Sequence, residues 1–296
     1  MKTKARPSAA ILLTFLISSL LAPVHGVAAT PVKVVVSILP QKYFLQKIGG
    51  EFVDVSVMVL PGANPATYEP KARQMAALTK AKIYFAIGVP FEKRWLPRFA
   101  KFNSKMVIVH TEEGIEKVAM KSFNPGSRKS RSAGIKDPHV WLSPPLVMIQ
   151  ARNILRGLVK VDREHRQVYE TNYKNFILEL VNLDLEIQDM ISADKAGGVF
   201  MVYHPSWGYF AKTYGLRQVS IEMEGKEPSP KQLETLIRFA INEGINVIFV
   251  QPEFSTKSAL TIAGAIKAKV APADPLALNW ADNLRKVARE FVSALK

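Results

Sequence analysis

The sequence predicts an α/β fold in which two lobes, each built on a parallel sheet, are joined by one long rigid helix. Three observations carry this. Short apolar runs alternate with amphipathic helical stretches from Val32 onward, the pattern of βαβ units covered on both faces. A stretch from Arg163 to Ser192 then runs without proline or glycine at helical spacing. After Gly197-Gly198 the strand–helix alternation resumes.

Taken in order, Val34 to Leu39 reads as a strand and Gln41 to Gly49 as a helix. Val53 to Leu60 is a second strand, and Lys71 to Ala81 a helix with Met75 and Leu78 on one face. Ile83 to Gly88 is a third strand, followed by a helix containing Trp95, and Met106 to His110 is a fourth. Asn124 to Lys136 is rich in Pro, Gly, Ser and basic residues and reads as a loop. Pro144 and Pro145 can open a helix running to about Lys160. Asp162 is the expected N-cap of the long helix. Its apolar stripe is Val168, Tyr169, Tyr173, Phe176, Leu180, Leu183 and Ile187, and thirty residues would span ~45 Å. Beyond it, Val199 to Tyr203, Arg217 to Glu222 and Asn246 to Gln251 read as strands. Trp207 to Tyr214 and Thr256 to Lys267 read as helices. Ser229-Pro230-Lys231-Gln232 is a capping box with proline at the first helical position, and an amphipathic helix closes the chain from about Asn279. The expected divisions are a signal peptide (1–29), an N-terminal lobe (30–145), linking helices including the bridge (146–195) and a C-terminal lobe (196–296).

The first residues are set apart. Lys2, Lys4 and Arg6 precede an apolar run from Ala9 to Ala22, and Val27-Ala28-Ala29 offers small residues for cleavage, with Val24-His25-Gly26 as a second option. This is the order of a secretory signal, and the run is short for a membrane span of ~20 residues. A soluble periplasmic protein is expected. There is no cysteine, so disulfides, thiolate ligands, cysteine nucleophiles and a lipidated N-terminal cysteine are excluded. The formal charge is +15, with three of the positives in the leader. Basic residues are scattered apart from Arg128-Lys129-Ser130-Arg131, which argues for a solvated surface and against nucleic acid as a partner.

Four histidines follow the leader: His110, His139, His165 and His204. His139 lies in Asp137-Pro138-His139-Val140-Trp141-Leu142, and His204 directly follows a predicted strand. Ligands of parallel α/β sheets gather at loops leaving the carboxyl ends of strands. Asp274, in Ala273-Asp274-Pro275-Leu276, follows another short apolar run and supplies a hard oxygen. Two imidazoles and a carboxylate suit zinc or a related first-row ion. No local motif such as H-E-x-x-H is present, so spacing alone leaves structural roles open for each. His110 reads as packed at a strand end and His165 as exposed. Asp137 either orients His139 or caps its turn. Glu222, Glu224 and Glu227 read as a solvated loop.

Several motifs carry a resemblance. Ser37-Ile38-Leu39-Pro40 with Lys47-Ile48-Gly49-Gly50, Leu60-Pro61-Gly62-Ala63-Asn64-Pro65 with Tyr68-Glu69-Pro70, Asp137 to Leu142, Glu224 to Ser229, Gln251-Pro252-Glu253-Phe254-Ser255 and Asp274-Pro275-Leu276 resemble the zinc/manganese solute-binding proteins of ABC transporters (cluster A-I), in particular the periplasmic high-affinity zinc-binding proteins. The resemblance implies a metal site in the cleft between lobes with His139, His204 and Asp274 as ligands. It also implies Zn(2+) as the transported ion ahead of Mn(2+), a membrane permease as partner, a monomer, and no catalysis. In that family the first loop carries a histidine ligand where this chain has Ala66, so this ligand position lacks a donor. Glu69 in the same loop is a possible substitute. Two alternatives follow from Ala66: a degenerate member that binds a metal chelate or has lost free-metal binding, and a zinc hydrolase with an open coordination position.

Overall fold

The computed structural model describes residues 30–120, 135–191, 195, 197–223 and 225–295. The predicted signal peptide, nearly all of the basic loop, and Glu224 lie outside the described residues.

Two four-stranded parallel sheets repeat one topology. The first has the order β2-β1-β3-β4, from Val32–Val36 (β1), Val53–Val57 (β2), Ile83–Ala86 (β3) and Val107–His110 (β4). The second has the order β6-β5-β7-β8, from Val199–Val202 (β5), Arg217–Ser220 (β6), Val247–Val250 (β7) and Lys269–Pro272 (β8). β8 was not foreseen as a strand: only Val270 and Ala271 in it are apolar, and both it and its register come from pairing with β7. The central strands β1 and β3 are nearly all valine, isoleucine and aromatics, as strands covered on both faces must be.

Helices α1 (Leu39–Gly49), α2 (Ala72–Lys80) and α3 (Pro90–Phe102) flank the first sheet, and α6 (Gly208–Thr213), α7 (Pro230–Asn242) and α8 (Lys257–Ile266) belong to the second. Between them run α4 (Pro144–Val161) and α5 (Arg166–Met190), and the chain closes with α9 (Trp280–Ala294). The capping box of α7 forms as expected: Gln232 N donates to Ser229 Oγ, and Ser229 N donates to Gln232 Oε1.

The bridge is 25 residues long, ~37 Å, shorter than expected. Asp162 does not cap it. That residue ends α4, and its carboxylate accepts from His165 Nδ1 at 2.8 Å and Tyr169 Oη at 2.5 Å, locking the corner between the two helices. His165 is therefore not exposed but stacked on Phe52, centroids 4.0 Å apart. Tyr169, Phe176, Leu180, Leu183 and Ile187 form one buried stripe on α5, packed against α1, α4 and α9. A continuous core joins the first sheet, this stripe and one face of the second sheet. A smaller core lies on the other face, beneath α7 and α8. No helix among the described residues is long and apolar enough to cross a membrane.

Candidate metal centre

A cleft of about 690 Å³ opens between loops of the two sheets. Asn64 to Thr67, Val89 and Pro90 line one wall; His204, Glu222, Glu227, Glu253 and Phe254 line the other; Pro138, His139 and Trp141 stand at the junction.

His139 sits on a strap that is tied to the second sheet's side. Tyr209 Oη donates to Asp137 O at 3.1 Å, and Trp141 Nε1 donates to Pro275 O at 2.7 Å. Trp280 Nε1, from α9, donates to Trp141 O at 2.8 Å. Gly208 makes room for the strap: a Cβ there would stand 2.9 Å from Asp137 Oδ2. The strap thereby holds Asp137 and His139, both buried, in fixed relation. Asp137 Oδ1 accepts from both the backbone N and the ring Nδ1 of His139, at 2.9 and 2.7 Å, the orienting role foreseen as one of its two readings.

His204 leaves the end of β5. Gln251, at the end of β7, clamps its backbone: His204 N donates to Gln251 Oε1 and Gln251 Nε2 donates to His204 O, both at 3.0 Å. Phe254 stacks on the imidazole at 4.5 Å. Its Nδ1 lies 2.9 Å from Glu222 Oε2. Glu222 is thus not part of a solvated loop. It is 5% exposed and serves His204 as Asp137 serves His139.

The two imidazoles are brought together, centroids 5.3 Å apart. With each Nδ1–H donated to a carboxylate, each ring keeps its Nε2 lone pair as a donor, the tautomer a metal-binding histidine needs. Burial pulls the His204 pKa below its ordinary value, against the Glu222 hydrogen bond, and the neighbouring His139 adds to the fall. A neutral ring is the form that binds a cation.

Asp274 sits half-buried at the end of β8, just before the cleft-lining Pro275 and Leu276. Its Oδ1 accepts from Leu276 N at 2.7 Å, and burial raises its pKa. Ala66 lines the opposite wall and brings no donor. Glu69 is not brought to the histidines: its side chain is 64% exposed and paired with Arg94. His110, expected to be packed, has a side chain 53% exposed and pairs with Glu112. Among the described residues, no three His, Cys, Asp or Glu side chains stand grouped closely enough to hold an ion as they are, so the carboxylates would have to turn inward to complete a site. Sequence reasoning missed Glu222, Gln251 and Glu253. The usable signal was their position: each lies within three residues of the end of a strand in the second sheet.

Two parallel-sheet lobes facing each other across a histidine-lined cleft, braced by a long helix, define a two-lobed binding protein of the metal-uptake type. The family profile described as "ZnuA: Zinc-uptake complex component A periplasmic" matches residues 34–294, and the chain belongs to this family. It is 29% identical over 249 residues to the high-affinity zinc uptake system protein ZnuA of Bacillus subtilis (strain 168), covering 80% of this chain and 76% of that protein. A crystal structure of ZnuA superposes with a TM-score of 0.83 at 40% identity, covering 90% of this chain and 99% of the other. A ZnuA deletion mutant with zinc bound gives the same TM-score at 41% identity, over 90% and 98% of the two chains.

Proposed function

We propose that this protein captures a divalent transition metal ion, zinc before manganese, in the periplasm and hands it to an ABC-transporter permease without catalysing a reaction. The single observation that carries the reading is the pair of imidazoles from separate elements, each with its Nδ1 engaged by a buried carboxylate and its Nε2 left as a donor. His139 and His204 are the nitrogen ligands and Asp274 supplies oxygen. Nitrogen donors favour zinc over manganese. Family membership supports the permease partner, export by the N-terminal leader, and transport in place of turnover. The protein acts as a monomer that meets the permease.

The braced architecture bears on how the ion is released. The α5 stripe and the strap's hydrogen bonds to the second lobe resist a wide hinge motion, so loading and release proceed by movement of the cleft loops and of the carboxylates on them. Calorimetric titration of the metal-free mature protein with zinc tests the reading. One ion bound per chain, lost in His139→Ala, supports it; no binding by the parent overturns it.

A further inference from the structure

We propose that Glu253 supplies the metal donor that Ala66 lacks, so that its carboxylate joins His139, His204 and Asp274 around the captured ion. The inference rests on the metal-capture reading and adds a ligand to it.

Among the described residues, three glutamates line the cleft: Glu222, Glu227 and Glu253. Two of them are already committed. Glu222 holds His204 Nδ1. Glu227 accepts from Tyr203 Oη at 2.8 Å through Oε1 and from Ser258 Oγ through Oε2. Glu253 differs: its Oε2 is buried and has no hydrogen-bond partner among the described residues. A buried carboxylate oxygen left unpaired is costly, and a cation is the partner that such an oxygen lacks.

The topology brings Glu253 to the same sheet edge as His204 and Asp274. In the order β6-β5-β7-β8, β7 lies between the strand that delivers His204 and the strand that delivers Asp274. Glu253 follows β7 by three residues, and Phe254 beside it stacks on the His204 ring. The Gln251 clamp ties the same turn to the His204 backbone. An ion bound between the ends of these strands would give the Glu253 Oε2 the partner it lacks. Glu69, the alternative in the loop of Ala66, is turned away to Arg94 at the surface.

The proposal changes the donor set from the three nitrogens and one oxygen that a histidine at position 66 would give to two nitrogens and two oxygens. The harder set narrows the preference for zinc over manganese.

The test titrates zinc into three metal-free proteins: the parent, Glu253→Gln, and Glu253→Gln combined with Ala66→His. Thermal melts without metal serve as a check on folding. Expected are tight one-to-one binding by the parent, a loss of about 100-fold or more in Glu253→Gln, beyond the roughly 10–100-fold that an outer partner of a ligand is worth, and recovery of most of that loss in the double variant. The metal-free Glu253→Gln protein should melt no lower than the parent, since it loses an unpaired buried charge. Parent-like zinc affinity in Glu253→Gln, or a loss that Ala66→His does not rescue, overturns the role of Glu253 while leaving metal capture standing. No zinc binding by the parent overturns both.

Discussion

The two sheets share one strand order, yet their carboxyl ends put polar groups to opposite uses. In the second sheet every strand leads into a group that borders or neighbours the cleft: His204 after β5, Glu222 after β6, Glu253 after β7 and Asp274 after β8. In the first sheet the polar groups beyond β1 and β3 turn inward, while His110 at the end of β4 is exposed. Glu92, in the first turn of α3, accepts from Ser37 Oγ, Ile87 N and Gly88 N, and Ser37 Oγ pairs with Tyr84 Oη. That cluster satisfies the backbone just beyond β3, and the cleft-facing loop between β2 and α2 carries Ala66. One scaffold thus uses Glu92 for architecture at the end of the first sheet and Glu222 to hold a cleft imidazole at the end of the second.

Predictions follow from that asymmetry, and the most severe strikes the second lobe. His204→Ala should lower zinc affinity by more than about 100-fold, since a direct ligand is worth more than its outer partner; calorimetry reads the loss. Glu222→Gln should weaken zinc by roughly 10–100-fold through loss of the carboxylate that fixes the His204 tautomer. Its metal-free melt should stay within a few degrees of the parent.

Glu92→Gln, in the first lobe, should leave zinc affinity unchanged and alter stability instead. Burial pushes the Glu92 pKa up from 4.5 to about 7, with Glu112 adding to the rise against the opposing hydrogen bonds. The folded protein therefore binds a proton that the unfolded chain has released. This contribution is fully present below about pH 4.5 and fades as the pH rises through about 7, by an amount on the order of 3 kcal/mol. Denaturant titrations between pH 4.5 and 8 should show the parent losing that increment and Glu92→Gln lacking it. The smallest effect belongs to Glu69→Gln. It should change zinc affinity less than about twofold and stability by no more than about 1 kcal/mol, the range of an exposed ion pair.

Much of the architecture was legible because it is written in local pattern. Short apolar runs and helical spacing marked seven of the eight strands among the described residues and the long helix, and Ser229 to Gln232 marked the start of α7 to the residue. β8 was missed because Lys269 and Pro272 dilute its apolar signal and its partner lies twenty-two residues upstream in register. The boundary at Asp162 was misread because a capping side chain and a corner-locking one look alike until Tyr169 and His165 are seen to converge on it. Motif resemblance singled out His139, His204 and Asp274, and the fold brings the two imidazoles together. The carboxylates around them were not so marked. Glu222 reads as one acid among three in a polar stretch, and only folding reveals that it is buried against an imidazole.

In the proposed site the ion binds through the Nε2 atoms of His139 and His204 while their Nδ1 atoms stay on Asp137 and Glu222. A crystal structure of the zinc-loaded protein, with the ion located by its anomalous signal, tests this directly. The predicted result is one peak at about 2.0–2.1 Å from both Nε2 atoms, with a carboxylate oxygen of Asp274 beside it. A peak elsewhere in the chain, or coordination through Nδ1 with Asp137 and Glu222 displaced, would contradict it.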